Sequence, residues 1–285
     1  MSLIFFSALF VFLSYLNPLF SIIFSIGIIG EKIFQNGNYK KYFIGIFAFS
    51  LLFLITKLIN IVDFFEIMIA GGINYFYVNS ILSGKSYSQT IINSIGLLAV
   101  VTSIQMLVFR AYYSSIINQS TLIIEEIFGQ SKNMEMMVKS MDIVKSIYQN
   151  NYVAIYTLII GFAIYIGTIM LSRKKEMKIW NHKLFELPDF FTYILIISLG
   201  FIIFRVPNLQ KIGINLLLIL LFFYFIQGVS VILFLFRNIL KKSKFYYALL
   251  VFLLILNNLF FIIFSLLGIF DRWFDFRKLH KKKLV

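Results

Sequence analysis

Polar and charged side chains inside long apolar stretches are the residues of this chain that could do chemistry, because placing them against hydrocarbon is costly. Within 64–82, Glu66, Asn74 and Tyr77 fall on one helical face, with Asp63 just before them. Within 88–110, Gln89, Asn93, Gly96, Ser103 and Arg110 share a face, and Gln227, Ser230 and Arg237 do so near the end of a later stretch. These stripes are expected to face the inside of a helix bundle, where Asn74 and Asn93 should meet. One use for them is a solute-binding cavity contacted by Asp63, Glu66, Asn74, Asn93, Arg110 and Gln227. The commoner use, for any single Asn or Ser, is hydrogen bonding between helices. Asp63, Glu66 and Arg110 are the stronger functional candidates, although each lies near the end of its stretch, where a charged head can reach water.

Other chemistries find less support. There is no Cys, hence no disulfide or thiolate metal site. The two histidines, His182 and His280, lie far apart in basic stretches, so no metal centre is expected. Gly84-Lys85-Ser86 looks like the end of a phosphate loop, but Asn79 stands where its first glycine belongs and the context is an apolar helix. No G-x-S-x-G and no H-E-x-x-H occurs. With no catalytic pair and no cofactor motif, the chain reads as a non-enzyme without a cofactor. A net charge of +14 would suggest nucleic-acid binding in a soluble protein. Here the charge sits in short loops between apolar stretches, which suits the positive-inside rule and anionic lipid, so no nucleic-acid partner is expected.

The elements that must position these residues are membrane helices. The chain is 60% hydrophobic and 13% charged, against roughly 25% charged in soluble domains. The expected fold is an all-α polytopic membrane protein, a bundle of about eight transmembrane helices with one amphipathic surface segment. It forms one membrane domain: N-terminal spans over 1–110, the surface segment at 111–151, C-terminal spans over 152–270 and a basic tail at 271–285. Residues 3–30 carry Asn17-Pro18 in the middle, so they form either one kinked span or two half-helices. Further spans are predicted at 42–61, 64–82, 88–110, 152–171, 190–206, 212–236 and 245–270. In the surface segment, Met134, Met137, Met141, Val144 and Tyr148 recur at helical spacing opposite Glu135, Lys139, Asp142 and Lys145. Ala163 and Gly167 form a small-xxx-small pair that suits a close helix contact.

Basic loops suggest the orientation. Arg173, Lys174, Lys175, Lys178 and Lys183 cluster in one loop, and Arg237, Lys241, Lys242 and Lys244 in another two spans later, so both can be cytoplasmic. A single crossing over 245–270 would put the basic tail outside. A break at Asn257-Asn258 would return it to the cytoplasm, and charge alone leaves both open.

The C-terminal half carries a recognisable pattern. Leu187-Pro188 follows a basic loop, Gln227-Gly228 sits inside a later span, and the chain closes with a G-x-x-D-x-W-x-D-F-R-K string from Gly268 to Lys278. Together with the Pro18 region and the surface segment, this resembles the YybS-like family of bacterial membrane proteins, a domain of unknown function. The resemblance covers nearly the whole chain, and the closing string is its most specific part. It implies a multi-pass protein of the bacterial inner membrane. In helical layout such proteins are similar to the substrate-binding membrane subunits of energy-coupling-factor transporters and to the rod-shape membrane protein MreD. Those subunits typically carry A-x-x-x-A in the first span, where this chain has Ser21 and Ser25 at that spacing.

In the closing string, Asp271 and Asp275 are four apart, as are Trp273 and Arg277, which on a continuous helix makes two separate faces. Trp273 suits the membrane interface, and Arg277 onward suits lipid phosphates, so the string reads as an interfacial anchor or as a docking element. The two acids should pair with basic residues, either neighbours such as Arg272 and Lys278 or Lys241 and Lys242 of the loop. Two functions follow. The first is a small-solute transporter or solute-binding membrane subunit, expected to show a cavity of roughly 300 Å³ or more lined by the stripes. The second is a membrane scaffold recruiting cell-envelope or signalling proteins. The expected partners are the bilayer, its anionic lipids, a small-molecule solute, and a membrane or cytoplasmic protein.

Overall fold

The computed structural model describes residues 3–35, 39–115, 118, 119, 122, 134–172, 185–204, 206–236 and 258–277. Among these the regular structure is helical, with no strand. Helix α1 spans Leu3–Leu16 and α2 spans Pro18–Ile23, which runs into a π-helical turn at Phe24–Ile28; α3 is Gly30–Gln35 and α4 is Tyr39–Ile55. Next come α5 at Ile61–Leu82, α6 at Tyr87–Val108 and α7 at Met134–Ser172. The last three are α8 at Phe190–Ile203, α9 at Pro207–Leu235 and α10 at Asn258–Phe274.

Local chemistry sets several of these boundaries. At Asn17 the backbone is extended and the side chain accepts from the Leu19 N–H at 2.9 Å, with Pro18 at the first helical position. The Asn-Pro pair thus ends one helix and caps the next, giving two half-helices. Asn60 and Asp63 form a capping box at the start of α5. Asn60 Oδ1 accepts from the Asp63 N–H at 2.9 Å, and Asp63 Oδ2 accepts from the Asn60 N–H at 3.2 Å. Ser86 and Gln89 repeat the device for α6, at 3.3 and 3.2 Å.

Four helical segments among the described residues are long and apolar enough to cross a membrane: Ile61–Leu82, Tyr87–Val108, Gln149–Ser172 and Pro207–Leu235. Leu3–Leu16, Pro18–Ile28 and Phe190–Ile203 are shorter apolar helices. The expected eight spans are therefore not all full-length helices. The first is divided at Asn17, and α8 has 14 residues, a rise of about 21 Å against the roughly 30 Å of hydrocarbon. Of the stretch 245–270, the part before Asn258 lies outside the described residues. The amphipathic segment proves continuous with the following span: α7 runs through both, with a kink where Asn151 has φ −123° and ψ 18°. The side chains of Met134, Met137 and Met141 lie outside what the structure describes.

The chain forms two compact units. The first contains Met1–Asn79 and Asn93–Thr168, the second Ser80–Ile92 and Ile169–Val285. In the first, α1 packs on α4: Ser7 Oγ donates to the Tyr42 carbonyl at 2.9 Å, and the rings of Phe10 and Tyr42 meet edge to face. Tyr42 Oη donates to Ser25 Oγ on the π-turn at 3.2 Å. Ala163 is buried, and a Cβ on Gly167 would stand 3.0 Å from Ile26 Cβ, so the small pair does mark a close helix contact. Ser21 and Ser25 are both buried in this packing. They are not presented outward as a docking motif.

In the second unit α8 and α9 pack antiparallel, shown by Phe191 against Phe223 near one end and Gly213 against the Ser198 carbonyl near the other. Helices α9 and α10 run parallel. Ser265 Oγ donates to the Leu221 carbonyl and Gln227 Nε2 to Asp271, a constant offset of 44 residues. Gly228 and Gly268 sit at this crossing, where each lacks room for a Cβ against the partner backbone.

Candidate functional site

The three stretches that carry the family resemblance converge on one polar cluster in the second unit. Asp271, near the end of α10, is 5% exposed, and Arg277 is 3% exposed. The helix ends at Phe274 because Asp275 adopts a left-handed conformation, φ 44°, with its N–H bonded to the Asp271 carbonyl. Asp is one of the few non-glycine residues that tolerates this geometry. The turn folds Arg277 back onto Asp271: Nη2 and Nε donate to Oδ2 at 2.6 and 3.1 Å. Arg277 Nη1 donates to the Phe185 carbonyl at 2.8 Å and to Ser230 Oγ at 3.3 Å.

Gln227 joins the pair to Leu187-Pro188. Its Nε2 donates to Asp271 Oδ2 at 3.2 Å, and its Oε1 accepts from the Leu187 N–H at 3.2 Å. Residues 185–188 lack helical hydrogen bonds of their own, and side chains supply what the backbone would otherwise miss. Ser230 Oγ accepts from the Phe185 N–H, and Ser88 Oγ accepts from the Glu186 N–H at 3.0 Å. Arg272 pairs with Glu186 at 3.7 Å and with Asp189. Asp271 pairs with Arg277, six residues on, and not with the expected Arg272, which contacts Glu186 and Asp189 instead. Arg277 is correspondingly not available to lipid phosphates, because the chain turns back where a continuing helix would have carried it outward. Trp273 stays 62% exposed on α10, as an interfacial ring would. Lys241, Lys242 and Lys278 lie outside the described residues.

Parallel packing puts the C-terminal ends of α9 and α10 at the same end of this unit. A reporter inserted at Lys242 and one fused after Val285 should therefore report the same side, the cytoplasmic one by the basic-residue rule. Reporters on opposite sides would contradict the parallel packing.

The sequence-predicted residues of the first unit separate into different roles. Asp63 belongs to the capping box and Arg110 is exposed. Asn74 is 1% exposed, and neither amide atom has a hydrogen-bond partner among the described residues. Tyr77 Oη and Thr168 Oγ1 are hydrogen-bonded at 2.8 Å in the interior. The inward face of α6 is not the expected one. Gln89 and Asn93 are exposed, Ser103 and Gly96 are half-buried, and Thr90, Ser94, Thr102 and Gln105 are buried instead. Small hydroxyl side chains suit a close-packed face better than Asn does. Asn93 therefore does not meet Asn74 in the interior.

Glu66 enters a chain of hydrogen bonds that sequence spacing did not reveal. Gln105 Nε2 donates to Tyr113 Oη at 2.6 Å, and Tyr113 donates to Glu66 Oε1 at 2.9 Å. The Tyr113 ring lies 4.7 Å from that of Tyr152, which stacks on Tyr156. Burial, then the neighbouring Tyr152 and Glu66, hold the Tyr113 phenol above its usual range, so it stays a donor. Among the described residues Glu66 pairs with no Lys or Arg, and Gln105 Oε1 is buried without a partner. A groove of about 390 Å³ in this unit is lined by Lys40, Phe43, Ile44, Phe47 and Tyr75. Its lining includes none of the stripe residues.

Apolar spans broken by capped turns, with buried polar clusters near their ends, define a multi-pass membrane protein. The chain belongs to the family described as predicted membrane protein (DUF2232), whose model matches residues 3–272. No curated protein and no solved structure matches it.

Proposed function

We propose that this protein is a small-solute transporter or solute-binding membrane subunit, with Glu66, Tyr113 and Gln105 at its binding site. The observation that supports this is a carboxylate on a candidate span held by a phenol that an amide holds in turn, with no basic partner among the described residues. An acid that only helped hold the bundle together would ordinarily be matched by a cation. Neutral donors leave its charge available to a cationic or N–H-bearing solute. Gln105 Oε1 points the same way, since an unmet buried acceptor costs about 1–3 kcal/mol that a donor on the solute would recover.

Replacing Glu66 with Gln keeps the shape and removes the charge. Small molecules extracted from the purified full-length protein should include one near stoichiometric with the wild type. It should fall at least about ten-fold in E66Q, as loss of a charged hydrogen bond requires. Equal small-molecule content in two proteins with the same unfolding midpoint would overturn the reading. The scaffold alternative draws on the exposed Asp189 and half-buried Glu186 and Arg272 at one end of the second unit. A co-purifying protein in place of a solute would favour it.

A further inference from the structure

The groove on α4 and α5 supports an assignment that does not depend on the Glu66 site. Phe43, Ile44 and Phe47 form one wall along successive turns of α4, and Tyr75 of α5 closes the other. The ring of Phe43 meets that of Tyr75 edge to face at 5.1 Å, and Tyr39 lies tilted against the Tyr75 ring at 5.9 Å. Ile44 is 66% and Phe47 48% exposed, so the walls are open along their length. The one charged lining residue is Lys40, in the first turn of α4. That turn is also the positive end of the helix dipole.

An apolar channel about 10 Å long, from Lys40 to Phe47 at 1.5 Å per residue, with a cation at one end, matches an amphiphile with an anionic head. We propose that this groove is a binding site for an anionic phospholipid, an acyl chain lying against Phe43, Ile44 and Phe47 and the phosphate at Lys40. Charge complementarity distinguishes this occupant from a protein helix, which would leave Lys40 facing apolar side chains. The chain's membrane family provides the setting.

Native mass spectrometry of the full-length protein, released from detergent with phosphatidylglycerol or phosphatidylcholine added, tests this. Wild-type protein should retain phosphatidylglycerol in preference. Lys40→Gln should lower that preference about five-fold, the effect of one basic residue at an anionic surface. Lys41→Gln, which alters an exposed neighbour outside the groove, should leave most of it. Ile44→Trp should fill the channel and reduce retention of both lipids while the unfolding midpoint holds. Equal retention of the two lipids by the wild type, or equal losses in K40Q and K41Q, would overturn the assignment. The second result would mean that surface charge, not the groove, selects the lipid.

Discussion

Arg277→Ala should be the most damaging single substitution among the residues described above, lowering stability by about 3–5 kcal/mol. It leaves Asp271, 5% exposed, without its counter-charge, and strips donors from the Phe185 carbonyl and from Ser230. Fluorescence-detected size-exclusion chromatography after a heating series would show little folded protein surviving. Arg277→Lys should fall between, because an ammonium cannot reproduce a guanidinium that reaches Asp271 through Nε and Nη2 and Phe185 through Nη1. Removing both charges, in Asp271→Asn with Arg277→Gln, should cost less than Arg277→Ala alone, since no charge is then buried unpaired. An unaltered unfolding midpoint in R277A would show that the pair contributes nothing.

Gly228→Ala should come close behind. A Cβ there would overlap the Phe264 carbonyl oxygen and stand 2.7 Å from its carbon and 3.1 Å from its Cα. Backbone atoms cannot rotate aside, so the two helices must separate. Overpacking of this kind costs about 1–3 kcal/mol, and the separation also loosens Gln227 and Asp271. Gly268→Ala meets the Tyr224 carbonyl in the same crossing. The two substitutions should therefore be less than additive, because one separation relieves both. Gly200→Ala, in the same unit, meets nothing within 4 Å and should be neutral or mildly stabilising through helix propensity. If G228A matched G200A in thermal unfolding, the close crossing would be wrong.

The sequence made the helical membrane class and the Asn17-Pro18 division readable, since apolar length and a proline next to a capping residue act locally. It also displayed both capping boxes. Asp63 and Gln89 nevertheless resemble members of inward stripes, because a side chain bonded to its own helix start looks the same in a polar-residue count. The face of α6 was misjudged for a related reason. With apolar residues all round, polar groups stand on more than one face of α6, and spacing alone does not tell the buried set, Thr90, Ser94, Thr102 and Gln105, from the exposed Gln89 and Asn93. At the tail the error was extrapolation. Four-residue spacing assumes a continuous helix, and one left-handed residue, Asp275, voids it. The Tyr113–Glu66 link joins positions 47 apart, which no local periodicity encodes.

Parallel packing of α9 and α10 has an electrostatic consequence. The carbonyl-rich termini of α9 and α10 lie at one end, each equivalent to about half a negative charge, and the N-terminus of α8, antiparallel to α9 at that end, offsets only part of them. Asp271, Asp275, Glu186 and Asp189 add four formal negative charges at that end, against the two positive charges of Arg272 and Arg277. The described part of this region is thus net anionic, even though the chain as a whole carries +14. The arginines there offset aligned backbone as well as carboxylates. Raising the salt concentration should therefore do little to the buried Asp271–Arg277 pair while weakening the more exposed Arg272 contacts, whose partners are open to counter-ions.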